Sequence, residues 1–125
     1  MIKEYVSWDD VENYVNKVID FYDNSQLTGV YGLPRGGLIL AVMISHRLHI
    51  PMLMAPVENC LIVDDICDSG ESLLHYQMNS SSLAKPLYHI STMMYRRGAK
   101  IVPEMFGMYK EDDWIVFPWE EKKED

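Results

Sequence analysis

Cys60-Leu61-Ile62-Val63-Asp64-Asp65-Ile66-Cys67-Asp68-Ser69-Gly70-Glu71-Ser72-Leu73 is the stretch from which the rest of the chain is read. Leu61 to Val63 is an apolar run of strand character, and it ends in two adjacent acids. A turn rich in Asp, Ser and Gly follows and opens a helix over 72–78. A helix start carries unpaired N–H groups and the positive end of the helix dipole, so an anion such as a phosphate monoester fits there. Ser69 and Ser72 add hydroxyl donors, and Gly70 lets the backbone close around the anion. Asp64 and Asp65 are suited to sugar hydroxyls or to a magnesium ion, which prefers carboxylate and phosphate oxygens. An isolated Asp-Ser-Gly is most often an ordinary strand-to-helix turn. Two acids directly after an apolar strand make the pattern far more specific.

On the N-terminal side, Gly29 to Leu33 reads as a short buried strand and Pro34-Arg35-Gly36-Gly37 as a turn. Leu38 to Leu48 has the apolar density of a buried helix, and Met52 to Met54 reads as a short strand. Further upstream, Ser7 is an N-cap with acids in the first turn after it. Val11, Val15, Val18 and Tyr22 recur at helical spacing, so that helix lays one face on the core, with Tyr14 and Phe21 also read as packing. Downstream lie a Ser80-Ser81-Ser82 loop, a strand over 87–95 and a last short strand over 114–117. Strands alternating with helices predict an α/β domain with a largely parallel sheet. In such sheets ligands bind beyond the carboxyl ends of the strands, where both turns fall.

A chain of 125 residues, 48% of them hydrophobic, is expected to form one domain with a real core. The formal net charge of −8 argues against nucleic acid as a partner, because phosphate backbones are held by Lys and Arg. No apolar stretch approaches the ~20 residues of a spanning helix, so no membrane association is expected. Cys60 and Cys67 form no CxxC pair and predict neither a disulfide framework nor a zinc site. With no basic-then-apolar leader, the expected location is the cytoplasm. The histidines are read as structural.

The quoted stretch resembles the phosphoribosyl diphosphate (PRPP) signature of type I phosphoribosyltransferases: apolar residues, two acids, two more residues, then Asp-Thr-Gly-Gly-Thr or a variant. Gly32 to Leu38 resembles the family's diphosphate-binding turn, with Arg35, Gly36 and Gly37 after a strand. That turn often contains a non-proline cis peptide, here the Pro34–Arg35 bond. Trp114-Ile115-Val116-Phe117-Pro118-Trp119 and the opening Ser7-Trp8-Asp9 resemble bacterial xanthine-guanine phosphoribosyltransferases. The likeness spans about Ser7 to Trp119.

The resemblance implies a single phosphoribosyltransferase domain over 1–119 with a charged tail over 120–125. It implies a pentosyltransferase that moves the phosphoribosyl group of PRPP to guanine, xanthine or hypoxanthine. Asp64, Asp65 and Asp68 are then the catalytic acids, with Asp64 and Asp65 also on magnesium. Arg35, Gly36 and Gly37 face diphosphate, and Asp68, Ser69, Gly70, Glu71 and Ser72 form the phosphate turn. Trp114 lies against the purine, and Ile115 offers backbone acceptors. Family members usually assemble as homo-oligomers.

Three departures stand out. The segment between Pro51 and Cys60 is much shorter than the mobile lid of the xanthine-guanine enzymes. Their Lys for the purine six-position carbonyl falls on Tyr95 by ungapped counting and on Arg96 after a one-residue shift; Arg96 is preferred because it keeps a positive donor, with Arg97 behind it. Glu71 replaces a glycine of the phosphate turn, and Asp68-x-x-Glu71 reads as a variant capping box. The short lid and Glu71 leave a second reading open, a PRPP- or nucleotide-binding regulator with little catalysis. A dinucleotide-binding domain is disfavoured because Gly32 to Gly37 lacks GxGxxG spacing.

Overall fold

The first of the predicted helices is set by local chemistry that the computed structural model makes visible; it describes residues 2–23, 25–79 and 87–120. The first strand, β1 (Lys3–Tyr5), leads into α1 (Trp8–Tyr22). Ser7 Oγ accepts the Asp10 N–H at 3.0 Å and Asp10 Oδ2 accepts the Ser7 N–H at 2.9 Å, a reciprocal cap that fixes where the helix begins. Val11, Tyr14, Val15, Val18 and Tyr22 form its buried face. Burial of each such side chain contributes about 1.5–3 kcal/mol. Phe21 differs from the sequence expectation. It is more than half exposed, with its ring edge-on to that of Tyr22.

After α1 come β2 (Val30–Gly32), α2 (Gly36–Leu48), β3 (Leu61–Cys67), α3 (Glu71–Asn79), β4 (His89–Arg96), β5 (Met105–Lys110) and β6 (Trp114–Val116). β2, β3, β4 and β5 form a four-stranded sheet in that order, and every neighbouring pair is parallel. The fold is therefore the expected α/β domain with a parallel sheet. Because the strands are parallel, Gly32, Cys67, Arg96 and Lys110 end on one edge. β1 and β6 pair in a separate two-stranded parallel sheet, with Trp114 opposite Lys3. One apolar cluster lies between α1, α2 and the sheet, around Tyr14, Val18, Leu40, Ile44, Leu61 and Met93. A second includes Ile62, Leu73, Ile90, Tyr95 and Ile101.

Several expectations change. β3 does not end at the paired acids but runs on through them to Cys67, with Asp64 opposite Thr92 and Cys67 opposite Tyr95. The backbone ladder needs no apolar side chain, so the polar step at Asp64 does not end it. Met52 makes a single bridge to Val30 rather than a strand over 52–54. β1 and β5 had no sequence signal of their own: β5 carries a glycine, and its burial is only partial. The expected serine loop at 80–82 and residues 121–125 of the tail lie outside the described residues. Cys60 and Cys67 are buried free thiols. Among the described residues no helix is long and apolar enough to cross a membrane.

Candidate active site

The turn after β2 is closed on β3. Leu33 donates its N–H to Val63 O at 3.0 Å, and Gly37 donates to Leu33 O at 2.8 Å. The Pro34–Arg35 peptide is cis, at the bond where the resemblance placed it. Gly36 allows a close approach: a Cβ on it would lie 2.0 Å from Asp65 Oδ2, and one on Gly37 would lie 2.4 Å from Val63 O. The diphosphate-type turn thus rests against the second of the paired acids. Arg35, Gly36, Ile39, Asp65, Trp119 and Glu120 line one open cleft of about 660 Å³.

Asp64 and Asp65 are partly buried. Each carboxylate accepts the N–H of the next residue at 2.8 Å, so each is oriented by its own backbone. Burial, and then the neighbouring charge of Asp65, pushes the Asp64 carboxyl up to about 8. A nearby cation would relieve that cost. Magnesium commonly takes one or two protein carboxylates and completes its shell with water and ligand phosphates. The donor set fits: two adjacent acids at the sheet edge, and among the described residues no cluster of three or more His, Cys, Asp or Glu to make a self-sufficient protein cage.

The turn after β3 is built differently. Gly70 adopts φ +84°, a left-handed conformation that favours glycine. A Cβ there would also lie 2.9 Å from Lys100 N. The Leu74 N–H to Gly70 O bond, 2.9 Å, opens the α3 ladder, so the N–H groups before Leu74 belong to the open first turn. Asp64, Ile66 and the residues from Cys67 to Leu73 line a cradle of about 170 Å³ there. Glu71 does not cap the helix with Asp68 as expected. Its N–H donates to Ser69 Oγ at 3.3 Å, and its carboxylate takes Lys100 Nζ at 2.9 Å. An ammonium ion is a stronger partner than a neutral N–H. Lys100 accordingly holds the Glu71 carboxyl below its ordinary range.

Asp68 faces two cations instead. Its Oδ1 lies 3.6 Å from Arg96 Nη1 and 3.7 Å from Lys110 Nζ. Asp68, Ser69, Arg96, Arg97, Gly98 and Ala99 line an adjoining cavity of about 360 Å³. Arg96 also pairs with Asp112 at 2.6 Å, tying the end of β4 to the loop before Trp114. Arg97 lies over the Tyr109 ring, 3.8 Å from its centre. Tyr95, the ungapped match to the family lysine, is buried against Phe106 and Tyr109.

The structure thus brings Arg35, Gly36 and Asp65 together in one cleft, and Asp64 with 68–72 in the cradle; Arg96 stands beside Asp68. Gly37 packs behind the first turn on β3. Trp114 and Ile115 do not line any of these three cavities: Trp114 is exposed on β6, and the Ile115 side chain is in the core. Trp119 is the aromatic residue on the cleft, stacked on Phe117 at 4.9 Å and tilted against Trp8. Lys110 and Lys100 were missed from sequence. Lys110 became interpretable only once β5 was seen to run parallel beside β4. Lys100 sits on a loop whose fold back onto Ser69 is a long-range contact.

No family model matches the chain. A xanthine-guanine phosphoribosyltransferase of Cereibacter sphaeroides (strain ATCC 17025 / ATH 2.4.3) is 27% identical over 151 aligned positions, covering 93% of this chain and 86% of that enzyme. The solved purine phosphoribosyltransferase of Pyrococcus horikoshii Ot3 superposes with a TM-score of 0.83 at 26% identity, covering 100% of this chain and 99% of that one. The Helicobacter pylori xanthine-guanine-hypoxanthine phosphoribosyltransferase shares the fold, with a TM-score of 0.70 at 18% identity over 94% of this chain and 93% of that one.

Proposed function

We propose, from the premise that the chain belongs to the type I phosphoribosyltransferase family and is a glycosyltransferase, that it transfers the phosphoribosyl group of PRPP to an oxopurine: guanine, xanthine or hypoxanthine. The observation that carries the reading is the shared edge of the parallel sheet. There the Arg35 turn, the paired acids and the Asp68–Ser72 cradle open side by side. A ligand with a diphosphate at one end, a ribose in the middle and a phosphate at the other would engage these three features in that order.

In this reading Arg35 and the backbone of Gly36 hold the diphosphate. Asp64 and Asp65 accept hydrogen bonds from the ribose hydroxyls and hold magnesium. When bound, magnesium supplies charge neutralisation on the leaving diphosphate. The cradle holds the ribose phosphate by N–H groups and the Ser69 and Ser72 hydroxyls. The anomeric carbon passes through an oxocarbenium-like state, as in glycoside chemistry, and a purine nitrogen takes it as diphosphate leaves. Asp68 lies beside the base and handles a proton of its imidazole ring. Arg96, beside Asp68, donates to the six-position carbonyl; for Trp114 and Ile115, which line none of the three cavities, a base contact rests on the family resemblance alone.

The short 52–59 segment favoured a non-catalytic binder. Likeness to the Pyrococcus enzyme across 99% of that chain supports the catalytic reading, since a purine phosphoribosyltransferase of nearly the same extent is already known. The deciding experiment mixes the protein with PRPP, magnesium and each purine in turn. Nucleoside monophosphate should appear with at least one oxopurine. Tight PRPP binding without product from any purine would favour the binder.

A further inference from the structure

We infer that Lys100 is a phosphate-binding residue of this site, parked on Glu71 until a phosphate displaces it. The inference rests on the proposed function and adds to it a ligand that lies outside the PRPP signature, 28 residues beyond Ser72.

Three observations place Lys100 at the cradle. Its backbone N–H donates to Ser69 O at 2.8 Å, so the loop is bonded to the phosphate turn itself. Its backbone lies so close to Gly70 that a Cβ there would meet Lys100 N at 2.9 Å. Its ammonium reaches Glu71, one of the residues lining the cradle, at 2.9 Å. The positive charge is thus held beside the cradle, outside its lining, by a carboxylate that belongs to its wall.

The pair is also exchangeable. Both side chains are more than half exposed, 54% for Lys100 and 69% for Glu71. Ion pairs this open to water are weak, because water and salt screen them. A phosphate carries more charge than a carboxylate and offers more acceptor oxygens. A phosphate in the cradle therefore attracts Lys100 more strongly than Glu71 does. Glu71 then keeps the ammonium at the rim in the empty protein and competes with the ligand for it. The replacement of a glycine by Glu71 is compensated by a cation that a distant loop brings back.

Calorimetry with ribose 5-phosphate, without magnesium, isolates the phosphate end from the diphosphate end. Lys100→Met keeps the aliphatic stem and the backbone bond to Ser69, and should weaken binding about tenfold, the loss of one charge-assisted hydrogen bond. Glu71→Gln removes the competitor and should tighten binding. In the double variant the gain from Glu71→Gln should vanish, because there is no cation left to release. Binding by Lys100→Met at the wild-type affinity would overturn the inference. So would a Glu71→Gln gain that persists undiminished without Lys100, since it would reflect general charge repulsion. Titration of the wild-type protein with PRPP and magnesium separates the two levels. If the wild type binds PRPP and Lys100→Met binds ribose 5-phosphate equally well, only the Lys100 assignment falls; if the wild type binds neither ligand, the proposed function falls with it.

Discussion

The turns after β2 and β3 face the same edge of one sheet, yet they are held in place by different means. The Arg35 turn is closed on the adjoining strand β3, by Leu33 on Val63 and by glycine backbone pressed against Asp65 and Val63. The Asp68–Ser72 turn is held largely by charged side chains, with Lys100 on Glu71 and Arg96 and Lys110 beside Asp68, besides the Lys100 N–H on Ser69 O. A turn pressed backbone-to-backbone on a strand has little freedom to absorb a new atom. A turn braced by exposed long side chains can exchange partners, as binding requires.

The largest effects should come from adding one carbon to the first turn, and they should differ at adjacent positions. At Gly36 the obstructing atoms belong to a side chain, so Gly36→Ala should push the Asp65 carboxylate aside. PRPP affinity should collapse while melting changes little. At Gly37 the obstruction is the Val63 carbonyl, which cannot move alone. Gly37→Ala should cost about 1–3 kcal/mol of stability, as overpacking usually does. Equal melting losses in the two variants would mean that the turn yields as a whole. Removing the paired acids should be as damaging to binding. Asp64→Asn with Asp65→Asn should abolish magnesium-dependent PRPP binding and leave the fold intact; unchanged binding in calorimetry would remove both from the site.

Asp64 gives the comparison a pH axis. Its carboxyl is raised from 3.8 to about 8, first by burial. Between those values the folded protein keeps a proton that the unfolded chain has released. Stability is therefore greatest below the lower value and falls as pH rises through the upper one. The ligand-free protein should melt at a lower temperature at pH 8 than at pH 5, and Asp64→Asn should flatten that difference. A wild-type melting curve independent of pH in this range would show that Asp64 is ionised at little cost.

An intermediate effect is expected at the base end. Arg96→Ala should lower kcat/KM for oxopurines about tenfold, one charged hydrogen bond, with a smaller change in PRPP affinity. Lys110→Met keeps the nearly buried stem and should cost less, because Arg96 still faces Asp68. If Lys110→Met proves the more damaging, the base carbonyl is read from β5 instead of β4.

The sequence revealed what neighbours in the chain encode. Asp64, Asp65, the Arg35 turn and a helix start within one residue of Glu71 were legible because each is encoded by neighbours in the chain: an apolar run, then acids, then glycines. The Ser7 cap was legible for the same reason. Lys100 and Lys110 were not, because their roles depend on a loop folding back and on β5 lying beside β4. Strand β5 has mixed exposure and so lacks a clean period of two. Glu71 was recognised as anomalous from sequence, but its partner was assigned within the turn, since nothing local indicates a cation 29 residues away.

The smallest expected effect is at Ser69, and it tests whether the second turn is truly braced from outside. Its hydroxyl accepts the Glu71 N–H at 3.3 Å on an exposed turn, a long bond that water can replace. Its backbone carbonyl accepts Lys100 N–H at 2.8 Å, and a side-chain substitution leaves that bond alone. Ser69→Ala should therefore cost no more than about 1 kcal/mol of stability, near the low end for losing a helix cap. Ribose 5-phosphate affinity should fall about two- to tenfold, as expected for one neutral hydrogen bond. A loss of several kcal/mol in thermal or denaturant unfolding would place the brace in the Ser69 side chain. The second turn would then be held by its own side chain and not by the loop at Lys100.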